Sequence, residues 1–233
     1  MRVRSGINRD LLWIVGSSNH GCWLGHYEQD KQDAIERYFE PGMRFFDIGA
    51  NAGFYTLAAA RRVTPAGHVW AFEPYAENVC NLLRHVDMNE IDNVTVVQAA
   101  VSTHTKLAGF SIAESNAMGH VSTDSKYLVP TLCIDEFCRT RAIEAPSLMK
   151  IDVEGAELDV LEGAREALGK QSTVIFLSLH GPKEERGCIA FLEQLGYRLV
   201  YLDGKVAHDR PLRSDEIVAL PPSYEPRGLF KTL

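Results

Sequence analysis

The sequence predicts an α/β protein built on a mostly parallel, doubly wound sheet. Three observations carry this. Short apolar runs alternate with segments of helical period along most of the chain, the order that a parallel sheet with crossover helices requires. The run Phe45-Phe46-Asp47-Ile48-Gly49-Ala50-Asn51-Ala52-Gly53-Phe54-Tyr55-Thr56 leads an apolar strand through an acid into a small-residue turn, and a helical pattern starts at once. A second acid, Glu73, closes the next apolar run twenty residues after Gly53.

Taken in order, residues 1–40 are irregular and rich in Gly, His and Trp, then helical from Asp30 to Phe39, where Pro41-Gly42 stops the helix. They are expected to form an arm or lid on a main domain spanning 41–233. Arg44 to Ile48 is a short apolar run between turn signals, a buried strand. Phe54, Leu57 and Ala58 share a helix face. Pro65-Ala66-Gly67 turns the chain into a second strand, His68 to Phe72. Pro74 sits where helices tolerate proline, Glu77 suits a first turn, and Val79, Leu82, Leu83 and Val86 form one face. Val94 to Val101 reads as a third strand, buried on both sides.

The rhythm then breaks. Ser102 to Leu132 is polar with short alternating pieces such as Lys106 to Ile112, a β-hairpin excursion inserted at about 102–132. It resumes with a strand at Leu148 to Val153 and a helix with Val160, Leu161, Ala164, Ala167 and Leu168 on one face. A strand at Thr173 to Leu179, a helix at Glu184 to Leu195 ended by Gly196, and strands at Tyr197 to Leu202 and Glu216 to Leu220 complete the pattern.

Composition narrows the function. The 233 residues suffice for one domain with a sizeable core, and 45% hydrophobic with 24% charged residues is ordinary for a globular protein. A net charge of -7, with no basic run longer than Arg61-Arg62, argues against a nucleic-acid partner. Leu11 to Val15 is too short for a signal peptide, and no stretch approaches the roughly 18 apolar residues of a membrane span. A cytoplasmic protein without membrane contact is expected. The five cysteines are odd in number and contain no CxxC pair, so reduced thiols are expected.

Ligands of such sheets bind beyond the carboxyl ends of the strands, and Asp47, Glu73, Gln98, Asp152 and His180 fall at or near those ends. A dinucleotide fingerprint would need glycine where Asn51 and Phe54 stand, and no Gly-Lys-Ser/Thr follows Gly53 as a P-loop demands. The loop therefore suits an adenosine cofactor without a pyrophosphate, of which S-adenosylmethionine is the common one. Glu73 offers acceptors to the two donors of a ribose diol. Asp47 and the turn would face the amino-acid end or the sulfonium.

Three blocks add a resemblance: Gly42 to Thr56, Ala71-Phe72-Glu73-Pro74, and Met149-Lys150-Ile151-Asp152-Val153-Glu154-Gly155-Ala156-Glu157. Across roughly Tyr27 to Tyr197 the chain resembles the FkbM family of S-adenosylmethionine-dependent methyltransferases, and the third block is the most specific to it. The resemblance implies the Rossmann-like class I methyltransferase fold, seven strands with the last antiparallel, and usually O-methylation. It implies that Asp47, Gly49, Ala50, Asn51, Gly53 and Phe54 line the methionine side. Glu73 and Pro74 would meet ribose, Gln98, Ala99 and Ala100 would lie near adenine, and Asp152 would adjoin the cofactor. The family often carries an acid two residues before the His at the end of the fifth strand, and here Ser178 stands there.

Methyl transfer gains rate from holding acceptor and methyl in line, and a hydroxyl acceptor must also lose a proton. His180, with an ordinary pKa of about 6.5, is the first candidate base. Asp152 and Glu154 follow, and helix capping is the competing role for each acid. Glu157 reads as a first-turn charge. Asp152 and His180 are also candidate metal ligands, but so few oxygen and nitrogen donors do not specify a metal, and none is assigned. His20, Trp23, His26, Tyr27 and Glu28 form an aromatic and polar cluster, of which His26, Tyr27 and Glu28 are the candidate acceptor contacts. The expected partner is a small hydroxylated acceptor, a sugar or natural product. N-methylation, or cofactor binding without catalysis, is the alternative.

Overall fold

The computed structural model describes residues 1–112, 119–121, 125 and 127–224. Parts of the expected excursion (113–118, 122–124 and 126) and of the expected main domain (225–233) lie outside the described residues. The chain runs through α1 (His20–Leu24), α2 (Gln29–Ile35) with a 3₁₀ turn at Glu36–Tyr38, β1 (Arg44–Ile48), α3 (Phe54–Val63), β2 (His68–Phe72) and α4 (Ala76–Met88). Then come β3 (Val94–Val97), β4 (Ala100–Val101), β5 (Lys106–Ile112), β6 (Gly119–Val121), β7 (Tyr127–Leu132) and α5 (Ile134–Arg141). The last third holds β8 (Leu148–Ile151), α6 (Glu157–Gly163), α7 (Arg165–Gly169), β9 (Val174–Ser178), α8 (Pro182–Gln194), β10 (Arg198–Tyr201) and β11 (Glu216–Leu220).

Seven strands form one sheet in the order β10-β11-β9-β8-β1-β2-β3. All neighbours are parallel except β11, which is antiparallel to both β9 and β10. The chain starts in the middle at β1, moves outward to β3, then returns to the other side at β8. The reversal leaves a crevice between β1 and β8, where open α/β sheets bind ligands.

Strand residues alternate between two cores, as a period of two dictates. Phe46, Met149, Ile175 and Leu177 pack with α6, α7 and α8 on one face. Phe45, Leu148, Val174 and Phe176 pack with α3 and the N-terminal arm on the other. The arm is part of this second core: Val3, Ile7 and Trp13 are buried in it. Its backbone is tied down by Asn8 Nδ2 donating to the Phe54 carbonyl at 2.7 Å. Among the described residues no helix is long and apolar enough to cross a membrane.

Three expectations are corrected. The third strand is split: among the described residues β3 lies at the sheet edge, paired only with β2, and is half exposed instead of buried on both sides. The chain bends at Gln98-Ala99, and β4 joins β7 in a second sheet of order β4-β7-β5-β6, the hairpin excursion. On α4 the buried face is Asn78, Val79, Leu82 and His85, while Leu83 is 50% exposed. The face is turned toward the cofactor-type turn, where His85 Nδ1 donates to the Ala52 carbonyl at 2.8 Å. The helix after β8 breaks at Ala164 into two. Gly163 there lies so close to the Ser102 carbonyl that a Cβ would sit 2.3 Å from its oxygen. The five apolar positions expected on that face are nonetheless buried.

Candidate active site

The turn after β1 is held over the end of β2. The Gly49 and Ala50 amides both donate to the Phe72 carbonyl at 3.0 Å. Gly49 has φ +76, and a Cβ on it would lie 1.9 Å from the Asp152 carbonyl oxygen. Only glycine lets this turn and the end of β8 approach so closely. Asn51, also left-handed at φ 50, aims its amide at Glu73 Oε2, 2.8 Å away. The other oxygen, Oε1, accepts from the Tyr75 amide at 2.9 Å and from Asn78 Nδ2 at 3.3 Å. Burial raises the Glu73 carboxyl, and the three donors pull it back. A carboxylate has lone pairs beyond these three bonds, so the fixed oxygens can still accept from a ligand diol.

The other end of the crevice is charged. Lys150 Nζ donates to the Gly49 carbonyl at 2.9 Å and lies 3.6 Å from both Asp47 Oδ1 and Asp152 Oδ2. Lys31, on α2 of the arm, has a side chain only 2% exposed. Its Nζ donates at 2.7 Å to Ser178 Oγ and at 2.7 Å to Glu216 Oε1, and lies 3.5 Å from Asp152 Oδ2. Burial alone would raise the Asp152 carboxyl, but Lys150, Lys31 and His180 hold it well below the usual carboxylate range. Ser178 is paired in register with Glu216 of β11 and donates to it at 2.9 Å. The acid absent at position 178 is therefore supplied in space from the antiparallel strand.

His180 follows β9. Its Nδ1 donates to Glu157 Oε1 at 2.7 Å, and its Nε2 lies 3.5 Å from Glu154 and 3.7 Å from Asp152. The bond to Glu157 raises its pKa to about 9; burial opposes this, and the Glu157, Glu154 and Asp152 charges add to it. That shift favours the protonated imidazole at neutral pH. This corrects the expectation of a free base near 6.5, because three carboxylates surround the ring. Glu154 is itself raised by burial, against the pull of His180.

The cleft brings together Gly49, Ala50, Asn51 and Phe54 of the turn, Glu73 and Pro74 after β2, and Ala99 and Ala100 beyond β3. Asp152 and Glu154 close one side, and Tyr27 comes from the arm. Other candidates lie off the cleft wall. Asp47 is fully buried behind Lys150, with Oδ2 accepting from Thr56 Oγ1 at 2.6 Å, so it braces the site and does not face a ligand. Gly53 caps α3 at φ +93 against Leu82, where a Cβ would meet Cδ1 at 2.1 Å. Gln98 and His26 are exposed. Glu28 sits behind Tyr55, accepting its hydroxyl at 2.8 Å and pairing with Lys31 at 3.4 Å. His180 stands beside the wall formed by Asp152 and Glu154.

The cleft also contains residues that carried no assignment. Lys150 and Tyr55 lie within the motif blocks without a role assigned to them, and Asn78 lies five residues after Glu73. Trp13, Asn19 and Cys22 of the arm also line it, and nothing in their spacing marks them.

The methyltransferase FkbM domain matches residues 47–199. The chain belongs to that family. Among curated proteins it is similar to the hexuronic acid methyltransferase AglP of Haloferax volcanii, 27% identical over 150 residues that cover 62% of this chain and 61% of that protein. The chain thus spans less than two thirds of that relative's length. The FkbM methyltransferase structure from Methylobacillus flagellatus KT is similar at TM-score 0.52 and 23% identity, covering 76% of this chain and 43% of that one. The precorrin 8w decarboxylase of Methanobacterium thermoautotrophicum is similar at TM-score 0.52 and 14% identity, covering 90% and 94%. At these identities the two structures speak for the fold alone, the class I methyltransferase sheet.

Proposed function

We propose that this chain is an S-adenosylmethionine-dependent O-methyltransferase acting on a hydroxyl of a small carbohydrate. The observation that carries it is the Asn51–Glu73 contact: the turn after β1 and the acid after β2 are locked together in one cleft that Asp152 and Glu154 also line. Glu73 would accept from a ribose diol, and Ala99 and Ala100 would flank the purine. The turn, Lys150, Tyr55 and Tyr27 would hold the methionine end. Asp152 and Glu154, on the same cleft wall, would then lie on the acceptor side of the methyl group. Glu154, half exposed on the cleft wall, takes the hydroxyl proton, and Asp152 stays ionised under its two lysines. The name of the Haloferax volcanii relative supports a sugar acceptor, and hexuronates are the first to try.

The test is titration calorimetry with S-adenosylmethionine, followed by transfer of labelled methyl to a panel of neutral sugars, hexuronates and amino sugars. Glu73→Gln is expected to weaken cofactor binding about tenfold, on the scale of a lost charge-assisted bond of about 1.5 kcal/mol. Unchanged affinity would remove Glu73 from the ribose site. Label found only on amines would replace O-methylation with N-methylation.

A further inference from the structure

We infer that Asp152, Glu154 and His180 form a divalent-cation site on the acceptor side of the cleft. Their ligand atoms all lie within 4.8 Å of one another. The gaps from His180 Nε2 to Glu154 and Asp152, 3.5 and 3.7 Å, are too long for strong hydrogen bonds. They are close to the roughly 3 Å that separates neighbouring ligands around an ion bound at about 2.1 Å.

Two further features orient these ligands. His180 gives its Nδ1 proton to Glu157 Oε1, and Glu157 is fully buried with its other oxygen unpartnered. A buried carboxylate behind a histidine fixes the ring and leaves Nε2 directed outward, as metal-binding histidines require. Asp152 is divided in the same sense. Both lysines hold Oδ2, and Oδ1 faces His180. The lysine charges are answered elsewhere, Lys31 by Glu28 and Glu216 and Lys150 by Asp47. One nitrogen and two carboxylate oxygens suit Mn²⁺ or Mg²⁺ with open positions left for other oxygens.

Asp152 and Glu154 line the cleft, so the open positions face the acceptor. This narrows the acceptor class of the proposed function, on which it rests, to molecules with two adjacent oxygens: a vicinal diol, or a hydroxyl beside a carboxylate. The cation acidifies the bound hydroxyl. Glu154 gives one oxygen to the ion and keeps the other for the proton. The acceptor oxygen forms the new C–O bond, the C–S bond breaks, and its electron pair stays on sulfur as a neutral thioether.

The experiment is a titration of EDTA-treated, dialysed protein with MnCl₂, read as loss of the free Mn²⁺ paramagnetic resonance signal. One site is expected. Glu154→Gln and His180→Gln should each weaken it about tenfold or more, and Glu157→Gln by a similar factor through ring orientation. Glu162→Gln, exposed on α6, should leave it unchanged. Glu154 is half exposed, so its variant keeps the test valid if the histidine variant unfolds. No binding up to about 5 mM Mn²⁺, far above useful affinities, or equal binding by all variants, overturns the site. S-adenosylmethionine binding is measured in the same EDTA-treated protein. Cofactor binding by a protein that takes up no Mn²⁺ overturns the cation site and leaves methyl transfer standing. Site-specific Mn²⁺ without cofactor supports the cation site and removes the proposed function.

Discussion

Lys31→Met is the sharpest perturbation the fold offers. The lysine comes from the arm, yet it bonds Ser178 and Glu216 at 2.7 Å and pairs with Asp152 and Glu28. Burial would lower its pKa, but the charges of Asp152, Glu216 and Glu28 keep it above its ordinary value. Methionine fills the same volume and removes the charge. Glu216 Oε2 already lacks a partner, so Oε1 would be left with the Ser178 hydroxyl alone. Breaking a buried pair costs about 3–5 kcal/mol. The carboxylates are 20–28% exposed, so water recovers part, and we expect about 3 kcal/mol. In a chain of this size that lowers Tm by roughly 6–12 °C. Urea unfolding and calorimetry measure it. Lys31→Met/Glu216→Gln should be more stable than the sum of the single variants by about 1 kcal/mol or more, because the neutral amide no longer needs the cation. A single-variant loss below about 1 kcal/mol, or strict additivity, would refute the reasoning.

Two further outcomes follow from the turn and from the arm. Gly49→Ala places a Cβ 1.9 Å from the Asp152 oxygen at φ +76; a loss above about 2 kcal/mol in urea midpoints is expected, with cofactor binding abolished in calorimetry. His85 stacks on Trp13 at 4.0 Å, accepts the Ile14 amide at Nε2, and donates from Nδ1 to Ala52. Burial holds its pKa below 6.5 in the folded chain. The unfolded chain then binds the proton more readily, so stability is full above about pH 6.5 and falls below it by at most about 1.4 kcal/mol per pH unit. Urea midpoints from pH 7.5 to 5.5 should show this decline, and His85→Leu should flatten it. Equal declines in both proteins would take His85 out of the account.

What the sequence made legible was local. β1, β2 and β11 run over the residues expected because each is a short apolar run closed by turn residues. The acids at strand ends were legible for the same reason, and most of them reach one cleft. Edge position was not, since an apolar run such as Val94–Val101 looks the same whether one neighbour or two pair with it. The charge state of His180 was also hidden, because its partner Glu157 lies 23 residues away and looks like an ordinary first-turn acid.

Lys31 shows the limit most plainly. In Gln29-Asp30-Lys31-Gln32-Asp33 it reads as one more surface charge. Its partners lie 121, 147 and 185 residues further along, and only the placement of β11 between β9 and β10 brings Glu216 to it. That insertion also explains the serine at 178. A carboxylate on β9 at that position would crowd Glu216 at the same register. Serine donates to Glu216 instead, and Lys31 then spans both strands and the arm. The motif acid, the antiparallel strand and the arm are therefore one electrostatic unit, which is why replacing a residue of α2 should be felt at Asp152.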